Sequence, residues 1–282
     1  MITTLKPDLP PGKKVSVCLS FDFDAISSPL RQQTPVEVSQ GEFAVIGAER
    51  ILKLLKKYSI RTTWYVPGHT VDTFPDNVRE IFEEGHEIAH HNYLHEDPTV
   101  LSRENEEIVV RRAKKSIKRL TGREPLGYRS PVWKFSPNTV SILLKEKFVY
   151  DSSMMAHDYL PYKVRQGDIL SAEGPYIFGN DTELIEVPVA WSLDDFPHFE
   201  FVPGYLTAGL RPISSVLENW AADFDYMYDN VPGGIFNLVL HPEVTGRGHR
   251  MILLEKIIQH IMKKDGVWFA STIEVVNSCK ST

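Results

Sequence analysis

Residues 15–25 read VSVCLSFDFDA, an apolar stretch that runs directly into two aspartates. Residues 15–21 are typical of a buried β-strand because the run is short and mostly apolar. Asp22 and Asp24 lie two positions apart, and on a strand this spacing points both carboxylates to the same face. Two crowded acids repel each other unless a cation separates their roles or one of them is protonated. A pair of solvated acids in a turn is the alternative interpretation.

Similar strand patterns recur along the chain and alternate with helical patterns. The strand-like segments are 15–21, 61–66, 86–90, 126–130, 184–187, 235–240 and 267–270. Repeated strand and helix units predict an α/β fold with a mostly parallel sheet, either closed into a barrel or doubly wound. About seven strands and the absence of a Gly-x-Gly-x-x-Gly motif favour a barrel formed by one domain, residues 1–282. Residues 25–43 and 152–183 fit neither pattern, and we expect loop insertions there that shape a site.

The composition is that of an ordinary globular protein. The 282 residues include 31 Lys and Arg against 37 Asp and Glu, a net charge of -6, and 42% are hydrophobic. This composition excludes a disordered, collagen-like or coiled-coil chain. Cys18 and Cys279 are too few for a disulfide framework or a paired-cysteine zinc site. The acidic balance argues against nucleic-acid and membrane partners, and the basic run at 111–119 is typical of the solvated face of an amphipathic helix.

The first residues, MITTLKPDLPPGKK, lack the apolar core of a signal peptide. Every apolar run in the sequence is also much shorter than the roughly 18 residues that a transmembrane helix needs. We therefore expect a cytoplasmic protein.

Four of the ten histidines lie within ten residues of the segment GHEIAHHNYLHEDP, residues 85–98. His91 and His95 would converge on one helical turn, as two neutral imidazole ligands do. His86 and His90 have the same spacing but belong to a predicted strand, where a buried supporting role is the simpler interpretation. Two imidazoles and one carboxylate would form an open three-ligand site, the arrangement that catalytic zinc uses.

Other polar residues follow strands in the same way. His241 comes directly after the apolar strand in NLVLHPEVTG, residues 237–246. A lone histidine is more often structural, but active groups in parallel α/β folds gather where strands end. Arg129 in GYRSP and the pair Asp194 and Asp195 in WSLDDFP lie at similar junctions, where ordinary ion pairs are the alternative.

The motif series SFDFDA, HHNYLHEDP, GYRSPVW, WSLDDFP and LHP resembles that of the polysaccharide deacetylase (NodB homology) superfamily. It is most similar to a cytoplasmic branch of peptidoglycan deacetylase-like proteins, cyclic imide hydrolases and allantoinase-like enzymes. The resemblance implies a distorted (β/α) barrel and metal-assisted hydrolysis of an amide-type carbon–nitrogen bond. Phe23 between the two acids, and Ala25 in place of a glycine, depart from the commonest family pattern and weaken the case for a polysaccharide substrate.

By position, the resemblance implies a divalent metal ion held by Asp24, His91 and His95, with zinc as the first choice. Cobalt, manganese, nickel or iron would also suit two imidazoles and a carboxylate. Some allantoinase-like relatives lack a complete triad and work without metal. This chain has all three residues, which favours a metal.

The resemblance also implies catalytic roles for four further residues. Asp22 matches the catalytic base, and His241 matches the general acid. Arg129 matches the arginine that orients the base. Asp194 matches the acid that tunes the catalytic histidine, with its neighbour Asp195 as the alternative.

We therefore predict a hydrolase that acts on carbon–nitrogen bonds other than peptide bonds, and a homo-oligomer. Because no export signal is found, the first predicted substrate is a small cyclic imide or ureide. N-deacetylation of an N-acetylated sugar or a peptidoglycan-type polysaccharide is the alternative. A non-catalytic metal-stabilised or ligand-binding protein is disfavoured because such a site has no use for a base and an acid. Five aromatic residues could wall the site, with core packing as the alternative: Trp133, Trp191, Tyr159, Tyr162 and Phe196.

Overall fold

The computed structural model describes residues 2–28, 34–169, 171–201, 206 and 209–279. The strands are β1 (Val15–Asp22), β2 (Thr63–Val66), β3 (Glu87–His90), β4 (Gly127–Tyr128), β5 (Tyr150–Asp151), β6 (Tyr162–Gln166), β7 (Asn180–Glu186), β8 (Ile235–Leu240) and β9 (Val267–Phe269). Within the described residues these nine strands form one sheet in the order β6-β7-β5-β4-β3-β2-β1-β8, and β9 pairs with β1.

Helices follow most of the strands and cover the outside of the sheet. They are α1 (Pro35–Tyr58), α2 (Gly68–Thr73), α3 (Pro75–Glu83), α4 (Arg103–Thr121), α5 (Thr139–Lys145), α6 (Asp195–Phe199), α7 (Ile213–Asn230), α8 (Pro242–Thr245), α9 (Gly248–Ile261) and α10 (Thr272–Ser278). Short 3₁₀ helices occur at Pro98–Val100, Pro131–Trp133 and Trp191–Leu193.

The sheet is curled and mostly parallel, which confirms the predicted α/β fold of the distorted barrel type. Each strand pairing in the described sheet is parallel except that of β6 with β7. The segment after β7 meets the free edge of β8 through an isolated bridge between Asp194 and Val239. Asn237 of β8 also donates its side-chain N–H to the Pro188 carbonyl at 3.0 Å. These contacts bring the segment at residues 188–194 beside β8.

The prediction of a loop insertion at residues 25–43 is wrong for the second half of this range, which forms a helix. Helix α1 begins at Pro35, and Thr34 caps it by accepting a hydrogen bond from the Glu37 N–H. The first half of its buried face consists of small residues, which give a weak hydrophobic pattern in the sequence: Gly41, Ala44, Gly47 and Ala48. The predicted insertion also includes residues 29–33, which lie outside the described residues.

The second predicted insertion, residues 152–183, contains an antiparallel strand pair. β6 and β7 pair from Tyr162 opposite Glu186 to Gln166 opposite Asn180. The short strand YKVRQ has only two fully buried positions, so its sequence carries little hydrophobic signal. The prediction of about seven strands also missed β5, which consists of two residues.

The two faces of β1 pack against different surroundings. Its outward side chains join the main hydrophobic core with the helices: Val15, Val17, Leu19 and Phe21. Its inward side chains are small or polar, and all are buried: Ser16, Cys18, Ser20 and Asp22. The alternation follows from the two-residue period of a strand. Small inward residues leave room inside the curled sheet for the buried polar groups of the site.

Helix α4 carries the basic run at 111–119, and the structure confirms the interpretation as an amphipathic helix. Ala113 and Ile117 are buried, whereas the cations face acids on the surface. The ion pairs are Arg111 with Glu146, Lys118 with Glu124, and Arg119 with Asp72, at 2.7, 2.9 and 2.6 Å. Among the described residues, the structure holds no helix with the length and apolar character needed to cross a membrane.

Candidate functional site

The predicted site residues gather where four strands end. Asp22 is the last residue of β1, and His91, Arg129 and His241 directly follow β3, β4 and β8. Because these strands are parallel, their carboxyl ends share one edge of the sheet. The seven predicted site residues are all buried, with exposed fractions between 0% and 8%. The fold therefore brings together residues that are far apart in sequence.

Asp24 lies between His91 and His95. Its Oδ1 is 3.4 Å from His91 Nε2, and its Oδ2 is 3.3 Å from His95 Nε2. Two atoms that each bind a shared tetrahedral ion at about 2.1 Å are about 3.4 Å apart. These spacings therefore fit a group of atoms that could hold one metal ion. Three protein ligands leave a fourth position for water or substrate, as in catalytic metal sites.

The orientation of His91 also fits a metal ligand. Its Nδ1 lies 2.8 Å from the Arg129 carbonyl oxygen. Because a carbonyl oxygen only accepts hydrogen bonds, Nδ1 carries a hydrogen, and Nε2, which faces Asp24, is the nitrogen placed to bind a metal ion. Metal-binding histidines are commonly held in this way by a backbone carbonyl. The residues present therefore suit a divalent metal ion.

The expected helical turn between His91 and His95 is wrong. These residues form an irregular turn in which Asn92 and His95 have positive φ angles of 55° and 54°. The Glu96 carboxylate holds the turn by accepting hydrogen bonds from two of its backbone N–H groups, at 3.1 and 2.8 Å. A histidine with a left-handed backbone conformation is strained, and it keeps this conformation where the surrounding contacts enforce it. The turn places the two imidazole rings 4.9 Å apart.

Asp22 lies between the Asp24, His91 and His95 group and His241. Its Oδ1 accepts a hydrogen bond from Arg129 at 2.6 Å, and its Oδ2 is 3.9 Å from His91 Nε2 and 4.0 Å from His241 Nε2. Burial raises the pKa of Asp22, but Arg129 and the two histidines together lower it below its ordinary value. The carboxylate is therefore charged, and the oxygen that Arg129 does not bind faces the site.

Arg129 is held rigidly inside the sheet. It donates to Ser20 Oγ at 3.1 Å, and to Ser152 Oγ and the Ser152 carbonyl at 2.9 and 2.8 Å. Its guanidinium also lies 3.9 Å from the centre of the Tyr65 ring. These contacts fix the group that orients Asp22.

Asp195 holds His241. The Nδ1 of His241 is 2.7 Å from Asp195 Oδ1, and its backbone N–H donates to Asp195 Oδ2 at 3.0 Å. Thr245 donates its hydroxyl to the same Oδ2. A separation of 2.7 Å is a hydrogen bond and is too short for a metal ion between the two atoms. A second group of residues that could be considered as metal ligands consists of Asp194, Asp195 and His241. Its geometry instead holds a proton between His241 and Asp195.

The structure corrects the residue predicted to support the catalytic histidine. Asp194 Oδ1 lies 3.7 Å from His241 Nδ1, beyond hydrogen-bonding distance. It instead accepts the Phe196 N–H at 2.8 Å and caps α6. Asp195 takes the position beside His241. Because the chain turns into a helix at these two residues, their side chains diverge, and the sequence could not tell which one faces the histidine.

The surrounding acids favour the protonated form of His241. Burial lowers its pKa, but Asp195, Asp194 and Asp22 raise it well above the ordinary value. Burial also raises the pKa of Asp194 to about 7, with a further increase from Asp195 that is opposed by His241. His241 is therefore an imidazolium in the neutral pH range and can donate a proton.

The other two clustered histidines have structural partners. His86 Nδ1 accepts the Thr62 N–H at 3.1 Å, and burial lowers the pKa of His86 to about 4. His90 Nε2 lies 3.0 Å from the Val110 carbonyl oxygen, and burial lowers the pKa of His90 to about 3. The structure places both beside protein groups rather than beside Asp24.

Glu243, which was not among the predicted site residues, is 8% exposed and lies in the first turn of α8. Burial raises its pKa, as does the nearby Asp24, whereas His241 lowers it. A side chain at Gly47 would lie 2.0 Å from the Pro242 carbonyl oxygen, so α1 touches this turn directly. The sequence feature that could have identified Glu243 is an acidic residue two positions after His241.

The five aromatic candidates have different environments. The Phe196 ring is 5.5 Å from the His241 ring and borders the site. Tyr159 and Tyr162 are buried, as the alternative of core packing proposed. Trp133 and Trp191 stack on each other with ring centres 4.2 Å apart.

Comparison with known proteins identifies the family of the chain. The family model described as Polysaccharide deacetylase matches residues 41–150. A Helicobacter pylori protein named Peptidoglycan deacetylase is 36% identical over 94% of this chain and 96% of its own length. The chain belongs to the polysaccharide deacetylase family. As a member of this deacetylase family, it is a hydrolase of amide-type carbon–nitrogen bonds, as predicted.

Further relatives extend the family assignment. A peptidoglycan deacetylase-like protein of Gibberella zeae is 29% identical over 84% of this chain and 78% of its own length. A Mycobacterium smegmatis crystal structure described as a polysaccharide deacetylase is 31% identical, has a TM-score of 0.85, and covers 99% of this chain and 95% of its own. An allantoinase structure has a TM-score of 0.80 over 97% of this chain and 92% of its own, but it is 20% identical and shows the fold alone.

The predicted cyclic imide or ureide substrate is wrong. The relatives that match most of the chain are named for peptidoglycan deacetylation, which agrees with the alternative prediction. The wrong prediction rested mainly on the lack of an export signal. An export signal concerns where a protein is located, and it carries no information about the chemical groups that the side chains of the site can bind.

Proposed function

We propose that this protein is a metal-dependent N-deacetylase of N-acetylated amino sugars in a peptidoglycan-type polysaccharide. The reaction hydrolyses the N-acetyl amide and yields acetate and a free amine. Two relatives named for peptidoglycan deacetylation, which match most of the chain, support this substrate class. The candidate site adds the three elements that amide hydrolysis needs, namely metal ligands, a base and an acid.

We propose that Asp24, His91 and His95 hold the metal ion and that the ion is zinc. The donor set supports this choice because two imidazoles and one carboxylate are typical ligands of catalytic zinc. A zinc ion bound there would supply Lewis-acid activation of the attacking water and the amide carbonyl. Arg129 supports the ligand set through its backbone carbonyl, which fixes the His91 ring.

Asp22 is the proposed base. Arg129 occupies one of its oxygens at 2.6 Å and keeps the carboxylate charged, while the other oxygen faces the site. This oxygen accepts the proton of the attacking water. The rigid hold on Arg129 means that the base does not have to reorient when the substrate arrives.

His241 is the proposed acid. An amine leaves a tetrahedral carbon poorly unless its nitrogen receives a proton. Asp195 fixes His241 Nδ1 at 2.7 Å and stabilises the imidazolium, so Nε2 is the atom that donates the proton. Glu243 lies near His241 and adds a further acidic group to this side of the site.

One observation carries the proposal. Asp22 Oδ2 lies 3.9 Å from a candidate metal ligand, His91, and 4.0 Å from the candidate acid, His241. A single substrate carbonyl carbon can therefore be reached from the ligand group, the base and the acid together. A structural metal site would not require this arrangement.

The test is release of acetate from N-acetylglucosamine oligomers and from peptidoglycan by zinc-loaded protein, with the amine measured in parallel. We expect equal amounts of acetate and amine, and loss of at least 99% of the activity in Asp22→Asn, in line with the usual contribution of general base catalysis of about 100-fold or more. Asp223→Asn, at an acid outside the site, serves as the matched control and should retain activity. Absence of acetate release from every N-acetylated glycan by metal-loaded protein would refute the proposal.

Four finer predictions can be tested by simple measurements. Elemental analysis of protein purified without chelator tests zinc against the other divalent ions. Light scattering tests the homo-oligomer, and limited proteolysis tests whether residues 1–282 form one domain. The cytoplasmic location also stays a prediction, and cell fractionation tests it.

A further inference from the structure

Trp133 and Trp191 form a stacked pair on the edge of the sheet that carries the site. Their ring centres are 4.2 Å apart and their planes differ by 28°. Trp133 belongs to the loop after β4, and Trp191 belongs to the segment after β7. Trp191 is 49% exposed, so a large indole surface faces the solvent. A single exposed apolar side chain is common, but an exposed surface formed by two stacked indole rings is a candidate binding surface for a ligand.

The backbone beneath Trp133 is strained. Val132 and Trp133 have φ angles of 51° and 52°, and a left-handed conformation is especially unfavourable for a β-branched residue such as valine. Ser130 anchors the loop, since its carbonyl accepts the Trp133 N–H at 3.0 Å and its own N–H donates to Ser153 Oγ at 2.8 Å. Strain of this kind is typical of functional loops that the surrounding structure enforces.

The same loop is tied to the His95 turn. Lys134, the residue after Trp133, forms an ion pair with Asp97 at 2.9 Å. Asp97 comes two residues after His95. The position of Trp133 is therefore coupled on one side to Arg129, four residues earlier, and on the other side to the turn that carries a candidate metal ligand.

The position of Trp191 is fixed by its neighbour Ser192. The Ser192 carbonyl oxygen accepts hydrogen bonds from His198 Nε2 and Trp220 Nε1, both at 2.9 Å, and from Asn219 at 3.4 Å. Asp195, which holds His241, lies four residues after Trp191. Both tryptophans are therefore held in place on loops that also carry residues of the site.

We propose that the Trp133–Trp191 pair is a platform that binds a pyranose ring of the glycan next to the sugar being deacetylated. One face of a pyranose ring consists of C–H groups and stacks on an indole ring, while the hydroxyl groups remain in water. This inference rests on the proposed function and adds to it a preference for oligomeric substrates. A single N-acetylated sugar in the site would leave the platform unused.

The test compares Trp191→Ala with wild-type protein on N-acetylglucosamine oligomers of one to five units, using metal-loaded enzyme. We expect kcat/KM for the tetramer and pentamer to fall about tenfold, through a higher KM, because stacking on an aromatic ring accounts for such a loss. Activity on the monomer and kcat on the pentamer should stay within about twofold. Trp191→Phe should restore most of the affinity for the pentamer.

Phe178→Ala is the matched control, because Phe178 is an exposed aromatic residue on the β6–β7 hairpin. It should leave all substrates unaffected. Trp191→Ala removes an exposed side chain, and a thermal melt confirms that the variant is folded. An unchanged KM for the pentamer in Trp191→Ala, or an equal loss on monomer and pentamer, would overturn the proposal.

A binding measurement separates this inference from the proposed function. Pentamer binding to metal-loaded wild-type protein should quench the intrinsic tryptophan fluorescence, and Trp191→Ala should bind the pentamer about tenfold more weakly. If wild-type protein binds the pentamer through Trp191 but releases no acetate, the deacetylase proposal fails and the platform stands. If acetate is released and Trp191→Ala binds the pentamer as tightly as wild type does, only the platform proposal is refuted, and the deacetylase proposal stands.

Discussion

Two groups of histidine and carboxylate lie side by side in this site, and they differ in spacing. In the first, Asp24 stands 3.3–3.4 Å from the nitrogens of His91 and His95. In the second, Asp195 stands 2.7 Å from the nitrogen of His241. The first spacing matches two ligands of one ion, whereas the second is a direct hydrogen bond. Residue types alone would not distinguish a metal site from a proton donor.

The backbone contacts explain the difference. His91 donates its Nδ1 hydrogen to a carbonyl, so its other nitrogen is the one that faces Asp24. His241 turns its Nδ1 directly to a carboxylate, which also accepts the His241 backbone N–H. The first group therefore stays open to a cation, and the second group keeps a proton. Substitutions in the two groups should have separable effects on metal content and turnover.

The largest expected effect is that of Asp24→Asn. Loss of the charged ligand should remove the metal and with it several kcal/mol of transition-state stabilisation, which corresponds to about a thousandfold loss of kcat/KM. Elemental analysis and acetate release measure the two effects on the same sample. A full equivalent of tightly bound metal in this variant would show that Asp24 is not a ligand.

His241→Ala should keep the metal but lose a factor of about 100 or more in turnover, because the leaving nitrogen receives no proton. The same two measurements apply. His260→Ala, at a histidine paired with Asp225 outside the site, is the control and should behave like wild type. Near-normal turnover of His241→Ala would eliminate this residue as the acid.

Asp195→Asn should lower turnover by about tenfold to a hundredfold with metal content unchanged, since the amide no longer stabilises the imidazolium. Asp194→Asn provides a matched comparison at the adjacent residue. Its amide oxygen can still accept the Phe196 N–H and cap α6, so we expect turnover within about threefold of wild type. The reverse order of the two effects would restore the role that the sequence predicted for Asp194.

The pH dependence should move in a defined direction. Despite burial, the neighbouring acids raise the pKa of His241, and the protonated form is the active one. Activity is therefore present below this pKa and declines as the pH rises through it. Asp195→Asn lowers the pKa of His241, so the decline should begin at a lower pH than in wild type. A profile of kcat/KM against pH checks the direction.

The smallest effect on activity should come from His90→Gln. His90 Nε2 lies against the Val110 carbonyl and its Nδ1 accepts the Asn92 N–H, so neither nitrogen is a candidate metal ligand, and metal content and turnover should stay within about threefold of wild type. The loss of these two hydrogen bonds should instead lower the free energy of unfolding by about 1–3 kcal/mol. Urea denaturation measures the stability, and loss of bound metal in this variant would contradict the assignment.

The sequence predicted most of the fold and most of the site. Residues with strong patterns, such as the apolar run of β8 before His241, showed both the strand and the polar group after it. The start of α1 was missed because Gly41, Ala44, Gly47 and Ala48 form a buried face without a strong hydrophobic pattern. Glu243 was missed because a single acid in a short helix carries no periodic signal.

By itself, the sequence determined the alternation of most strands and helices, the family motifs, and most of the residues from which the candidate site is built. These follow from side-chain period and residue type, which are local properties. Tertiary structure alone decided the geometry of the two groups. It placed Asp24 at ligand spacing between two histidines in an irregular turn, and it turned Asp195 rather than Asp194 toward His241. Contacts between distant segments fix those orientations, and no local pattern records them.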